Sequence, residues 1–132
     1  MRRASYLCIV LFLALSVNMQ AQQVKPGPHG GKVKEAGTGY KIEMLYSRGN
    51  FYTFLLDANS KPMGNKGISC ELNICFNTCE NENHVLKIFS TDGFSAEDML
   101  VKDFYSCMII FTLNEEKIRA EFYNEEESAR NE

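Results

Sequence analysis

The sequence lacks the residue patterns on which most enzymes depend. Its 132 residues contain no Gly-rich phosphate loop, no pair of carboxylates in a recognisable motif and no Ser or Cys nucleophile with a suitably placed His. Tryptophan is absent, and there are only two histidines. Because each of these chemistries needs particular side chains at particular spacings, we expect that the chain is not an enzyme.

Long apolar runs are also lacking, with one exception at the N-terminus. Arg2 and Arg3 precede the apolar run 6–17, and Ala21 stands before a stretch rich in Gln, Pro and Gly. This order is typical of a secretory signal peptide, whereas a transmembrane helix needs about 20 apolar residues. We therefore predict that residues 1–21 are a signal peptide and that the mature chain is exported, to the periplasm or the extracellular space. We expect no stable membrane insertion after cleavage.

An excess of positive charge is missing as well. The chain has 14 basic and 17 acidic residues, and loss of Arg2 and Arg3 with the signal peptide lowers the net charge from −3 to −5. A nucleic-acid-binding protein neutralises phosphates with clustered Lys and Arg side chains. The composition therefore argues against nucleic acid or anionic lipid as a partner.

The remaining chain has the length of one small domain. Removing 21 residues from 132 leaves 111. We predict a flexible N-terminal arm over 22–31, where Pro and Gly are concentrated, and a single domain over 32–123. Residues 124–132 have no apolar periodicity and many Glu residues, so we predict an acidic, disordered tail there.

Alternation of apolar and polar residues, the period of half-buried strands, dominates the predicted domain. It predicts about seven short strands, at 32–35, 40–46, 51–57, 68–76, 84–90, 105–113 and 117–123. This spacing is typical of an all-β, immunoglobulin-like antiparallel β-sandwich, and Tyr105, two residues before Cys107, has the spacing of that fold's tyrosine corner. The absence of Trp, and of a Cys within 40–46 to pair with Cys107, excludes a true antibody-type domain.

Four cysteines follow the signal peptide, and they allow three disulfide connectivities. Disulfides are common in exported proteins. Cys70 and Cys75 are an odd number of residues apart, so they point to opposite faces of a regular strand. Cys70 and Cys107 each share a face with apolar residues of their strands. We therefore expect a buried Cys70–Cys107 disulfide, and a Cys75–Cys79 disulfide at the strand end.

A metal site is the alternative use of these cysteines. Cys75, Cys79 and His84, in the spacing Cys-x3-Cys-x4-His, offer two thiolates and an imidazole to Zn²⁺ or Cu⁺. His29 is the other candidate ligand, because the glycines that follow it allow its imidazole to be presented at the surface. The candidate metal ligands are therefore His29, His84, Cys75 and Cys79, and the candidate ions are copper and zinc.

Several segments resemble a family of small exported bacterial proteins. In that family a His-Gly-Gly segment is followed by a Tyr-x-Ile/Phe-Glu strand and a Tyr-Leu-Leu-Asp strand, and the matching segments here are 28–37, 40–44, 52–57, 61–63 and 66–67. Similar segments occur in periplasmic proteins associated with heavy-metal, especially copper-type, efflux systems, including some adaptor subunits of those pumps. The resemblance implies a role for His29, Gly30, Gly31 and Glu43, and a metal ion or a periplasmic efflux component as partner. The Cys75/Cys79 pair is an elaboration of this chain.

Two functions therefore compete. The first is an exported periplasmic binding module that handles a soft or borderline metal ion as an accessory to metal efflux or resistance. The second is a disulfide-stabilised protein-interaction domain of the cell envelope that has no metal chemistry. Fold alone does not decide between them, because β-sandwiches host many unrelated functions.

Overall fold

The structure, a computed structural model, describes residues 25–78, 80–97 and 104–124. The predicted signal peptide, Cys79 and residues 125–132 of the predicted tail lie outside these ranges. In the part described, the chain forms strands, turns and loops without a helix. The fold is all-β, as the alternation predicted.

The strands form two antiparallel sheets. Sheet A has five strands in the order β1-β2-β3-β7-β6, and sheet B has four in the order β5-β4-β8-β9. The strands of the described ranges are β1 (Lys32–Ala36), β2 (Tyr40–Ser47), β3 (Asn50–Asp57), β4 (Ile68–Phe76), β5 (Asn81–Val85), β6 (Lys87–Phe89), β7 (Gly93–Ala96), β8 (Phe104–Leu113) and β9 (Glu116–Tyr123).

The strand order is that of an immunoglobulin-like sandwich. With β2, β3, β7 and β6 as strands A, B, E and D, and β4, β8 and β9 as strands C, F and G, the two sheets are the ABED and CFG sheets of that fold. Strand β5 lies beside β4, in the position of strand C′ of the immunoglobulin fold. Strand β1 is an additional edge strand, paired with β2. The predicted fold class is confirmed.

The described residues contain nine strands rather than about seven, because one predicted strand is divided between the sheets. The segment 84–90 was expected to be continuous, but β5 ends at Val85 in sheet B and β6 begins at Lys87 in sheet A. Leu86, between them, is buried, and its N–H donates a hydrogen bond to the carbonyl of Cys70 at 2.9 Å. The chain therefore changes sheets at Leu86. The short β7 is the other strand not predicted.

The core lies between the sheets and follows the predicted alternation. Alternate side chains in the central parts of β2, β4, β8 and β9 are almost completely buried, which removes apolar surface from water. They include Ile42, Leu72, Ile74, Ile109, Phe111, Ile118 and Phe122. The alternation therefore identified the inner faces of β2, β4 and β8.

The predicted Cys70–Cys107 disulfide is wrong. Cys70 is paired with Phe111 and Cys107 with Ile74, so the two cysteines are offset by four residues on neighbouring strands. Four residues span about 13 Å along a strand, whereas the Cα atoms of a disulfide lie within about 7 Å. Both thiols are free and buried. Burial raises the pKa of the Cys107 thiol to about 12 and raises that of Cys70 further above its usual range.

The predicted tyrosine corner at Tyr105 is also wrong. The register between β4 and β8 shifts there, because Cys75 pairs with Ser106 while Phe76 pairs with Phe104. Tyr105 is therefore the extra residue of a β-bulge. Its side chain is 45% exposed, and its ring packs edge-on against Tyr123 on the outer face.

Candidate functional site

The N-terminal loop, residues 27–31, is closed by its own backbone hydrogen bonds. The N–H of Gly30 donates to the carbonyl of Gly27, and the N–H of Gly27 donates to the carbonyl of Gly31, both at 2.9 Å. Pro28 follows Gly27, and Pro suits the second position of such a turn because its ring presets φ. These residues were predicted to belong to a flexible arm, and here they form a compact loop.

The loop is attached to sheet A through the carboxylate of Glu43, which is completely buried. One of its oxygens, Oε2, accepts hydrogen bonds from the N–H groups of His29 and Gly31, each at 2.9 Å. The other, Oε1, lies 2.7 Å from Nδ1 of His29. A buried carboxylate is costly unless it is paired and hydrogen-bonded. The three contacts therefore explain how a Glu is accommodated in the middle of β2.

The imidazole of His29 is held on three sides. Its ring is stacked on the ring of Phe54, with centroids 3.6 Å apart and an interplanar angle of 6°. Nδ1 faces Glu43, and Nε2 lies 3.0 Å from Oδ2 of Asp92, a residue of the turn between β6 and β7. His29 and Asp92 are both partly exposed. The ring therefore connects the N-terminal loop to β2, β3 and the β6–β7 turn.

The two carboxylates favour the protonated form of His29. Desolvation of the ring acts to lower its pKa, but hydrogen bonds to Glu43 and Asp92, together with their negative charges, outweigh it. The net effect is to raise the pKa of His29 above its ordinary value of 6.5. The cluster is therefore a site that holds a proton between two carboxylates.

Two glycines allow the close packing around this cluster. A Cβ on Gly31 would lie 2.6 Å from the backbone carbonyl oxygen of Met44, which cannot move without disturbing β2. A Cβ on Gly93 would lie 2.6 Å from the ring of Phe54. The backbone approach at Gly31 lets the loop reach Glu43, and the one at Gly93 leaves room for the ring on which His29 stacks.

The structure does not bring the four predicted metal ligands together. His29 lies on the outer face of sheet A, whereas Cys75 and His84 lie in sheet B on β4 and β5. Cys75 is paired with Asn81 and His84 with Leu72, so Cys75 and His84 are three residues apart along the strands and point to opposite faces. Nε2 of His84 lies 3.1 Å from Oε2 of Glu82. Cys79, the fourth predicted ligand, lies outside the described residues.

The donors that do meet at His29 make only a partial metal site. Within the described ranges, no three His, Cys, Asp or Glu side chains are grouped so that they could hold a metal ion. Nε2 of His29 and the carboxylate of Asp92 are two adjacent donors, while Glu43 is engaged by Nδ1 and two backbone N–H groups. A full set of four protein ligands, as in structural zinc sites, is not assembled there.

Asp92 and Phe54 were not identified from the sequence. Asp92 is 63 residues from His29, and it meets the ring only because β3, β7 and β6 are neighbours in sheet A. Phe54 lies on the outer face of β3 and is buried, with the His29 ring of the N-terminal loop stacked on it. The run 51–56 is almost entirely apolar, so its sequence does not show which residues face outward. The only available signal for Asp92 was its position in the turn sequence Ser-Thr-Asp-Gly.

A second candidate surface is the outer edge of β6, which pairs with no further strand among the described residues. Both Ile88 and Phe89 are exposed apolar residues on this outermost strand, and Ile88 is 67% exposed. On the other three outer strands of the described residues, exposed large apolar residues occur only singly, as Val85 on β5 and Tyr123 on β9. The rest of their exposed positions are mostly charged or polar side chains, which protect an edge against further pairing. These are Lys32, Lys34 and Glu35 on β1, Glu82 and His84 on β5, and Glu116, Lys117 and Arg119 on β9.

Comparisons add no assignment to these two surfaces. Within the described residues, no helix has the length and apolar character needed to cross a membrane. No protein-family model, curated protein or solved structure matches this chain.

Proposed function

We propose that this chain is an exported immunoglobulin-like module that recognises another protein chain through the outer edge of β6. The observation that carries the proposal is that two of the three residues of an outermost strand, Ile88 and Phe89, are apolar and exposed, whereas each other outer strand of the described ranges has at most one exposed large apolar residue. An edge strand presents unpaired N–H and C=O groups, and an added strand hydrogen-bonds to them. The exposed apolar side chains then provide the burial that favours binding.

Photo-crosslinking in the cells that export the protein tests this proposal. A photoreactive lysine analogue replaces Lys87, which is exposed on β6, and in a matched chain it replaces Lys117, which is exposed on β9. We expect one discrete covalent adduct from position 87 and none from position 117. Adding Ile88→Lys to the chain labelled at position 87 should abolish the adduct, because it places a charge on the apolar edge. Equal labelling at both positions, or none at position 87, would contradict the proposal.

Metal handling at His29 is the second candidate function, and one observation favours it. A metal-ligating histidine commonly donates its other ring N–H to a carboxylate, and Nδ1 of His29 lies 2.7 Å from buried Glu43. Nε2 and Asp92 would then face the ion, and an imidazole nitrogen with a carboxylate oxygen suits Zn²⁺ or Cu²⁺ better than Cu⁺. In that role the protein would serve as an accessory to metal efflux, as the family resemblance implies.

Calorimetry with Zn²⁺ and with Cu²⁺ tests the metal candidate. Wild type should bind, Asp92→Asn should bind at least about tenfold more weakly because the carboxylate is lost, and His84→Ala should match wild type. Affinity should fall as the pH decreases through the raised pKa of His29, because the proton competes for Nε2. Equal binding by wild type and Asp92→Asn, or no binding by wild type, would remove this candidate.

A further inference from the structure

We propose that the β6 edge takes a second copy of this chain, with the two β6 strands paired antiparallel about a twofold axis at Ile88. The proposal rests on the proposed function, since it names the partner of the same edge. The two five-stranded A sheets would join into one continuous sheet of ten strands. An interface of this kind stops at a dimer and does not extend into a filament, because both copies use the same surface.

The register of such a pair follows from the length of β6. The strand has three residues, Lys87–Phe89, so an antiparallel pair centred on its middle residue places Ile88 opposite Ile88 of the other copy. Lys87 then lies opposite Phe89 of the other copy, and the reverse holds by symmetry. No lysine faces a lysine, although both partners carry identical charges.

The side chains on each face of this pair are complementary. Ile88 is paired with buried Phe94 on β7, so it points to the inner side of sheet A, yet it is 67% exposed at the open edge of the sandwich. Two such residues facing each other across the axis would cover each other and bury apolar surface. This inner-face contact is the main source of affinity in the proposed pair.

The outer face supplies a second contact. Phe89 packs against Tyr52, with ring centroids 4.9 Å apart, so its ring is already supported by its own sheet. A lysine ammonium group near an aromatic face is attracted by the ring electrons. Lys87 of each copy would therefore contact the Phe89 ring of the other copy. Repulsion between the two Lys87 side chains disfavours a register that places them directly opposite each other.

Sedimentation velocity of the full exported chain over a range of concentrations is the first test. We expect a reversible monomer–dimer equilibrium in wild type. Ile88→Lys should weaken dimerisation by at least about tenfold, because it opposes two charges at the axis. Val85→Lys is the matched control, because Val85 is 77% exposed but lies on β5, and it should dimerise like wild type. Monomeric wild type, or an Ile88→Lys variant that dimerises normally, would overturn the inference.

Disulfide trapping tests the register itself. Directly opposed residues of antiparallel strands have Cα atoms about 4.5–5.5 Å apart, within reach of a disulfide. Ile88→Cys should therefore form a disulfide-linked dimer on mild oxidation. Lys87→Cys should not, because the two copies of residue 87 are offset by two residues from direct opposition. Equal trapping of both variants would contradict the twofold register.

The photo-crosslinking experiment separates this inference from the proposed function. An adduct at position 87 with twice the mass of the chain supports both. An adduct with a different protein, together with a monomeric wild type, overturns the second-copy inference and leaves recognition through β6 standing. The absence of any adduct at position 87 contradicts both.

Discussion

Replacement of His29 by Ala should destabilise the domain, and the loss should depend on pH. The imidazole contributes a charge-assisted hydrogen bond to buried Glu43 and a stacked contact with Phe54. Such a hydrogen bond contributes about 1.5–3 kcal/mol, and an aromatic pair about 0.5–1.5 kcal/mol. Because Glu43 retains two backbone N–H donors in the variant, we expect a loss of about 2–4 kcal/mol in the free energy of unfolding below pH 6.5.

The direction of the pH dependence follows from the raised pKa of His29. The folded protein binds this proton more tightly than the unfolded chain does, whose histidine keeps the ordinary pKa of 6.5. The added stability is fully present below that pH and is lost as the pH rises through the higher pKa of the folded state. The difference between wild type and His29→Ala should therefore be larger at about pH 5.5 than at about pH 8.5.

Urea denaturation at both pH values measures this difference. Unfolding is followed by far-UV circular dichroism, because the chain has no Trp. His29→Gln keeps a hydrogen-bond donor but, like Ala, cannot take up the proton. Its loss should therefore be smaller than that of His29→Ala and should decrease with rising pH in the same way, because the pH dependence comes from wild type. His84→Ala is the control, and it should stay within about 0.5 kcal/mol of wild type because its contact with Glu82 is exposed. A loss for His29→Ala that is equal at both pH values, or larger at the higher one, would refute the reasoning.

Three further predictions concern close packing, the thiols and the β-bulge. Gly31→Ala should lower the free energy of unfolding by at least about 2 kcal/mol, because its Cβ would meet the backbone of β2. Gly64→Ala is the control and should change it by less than about 0.5 kcal/mol, because the atom nearest to its Cβ is 3.9 Å away. Urea denaturation measures both changes. Cys70 and Cys107 should not react with Ellman's reagent in the native protein, because both thiols are buried. After alkylation in denaturant, peptide mapping should find both as alkylated thiols. A disulfide-linked peptide that contains both cysteines would contradict the strand register. Tyr105→Phe should change stability by less than about 0.5 kcal/mol, because the side chain is exposed, and a larger loss in the same denaturation assay would restore the tyrosine corner.

Part of the candidate site was visible in the sequence. His29 stood out because it lies between Pro and a Gly pair, and Glu43 stood out through the family resemblance. Their contact, and the burial of Glu43, depended on the N-terminal loop folding over the outer face of sheet A. Alternation along β2 assigns Glu43 to the outer face, where a carboxylate is expected to be solvated. The two-residue period describes one strand by itself, so it does not show that a loop from another part of the chain covers Glu43.

The cysteines show the limit of the strand pattern most clearly. Alternation placed Cys70 and Cys107 on the inner faces of β4 and β8, and both are buried there. It did not place them relative to each other, because a slide of two residues between strands leaves every side chain on the same face. The register that puts Cys70 opposite Phe111 was decided by the pairing of whole strands.

The sequence by itself determined that the chain is all-β, which faces of β2, β4 and β8 are inward, and where most turns fall, since these follow from a period of two residues and from local turn chemistry. The tertiary structure decided the register of β4 on β8, the change of sheets at Leu86 and the contact of His29 with Asp92. It also decided that β6 is the outermost described strand of sheet A and that Ile88 on it is exposed. These features depend on which distant segments become neighbours, and a local period carries no information about that choice.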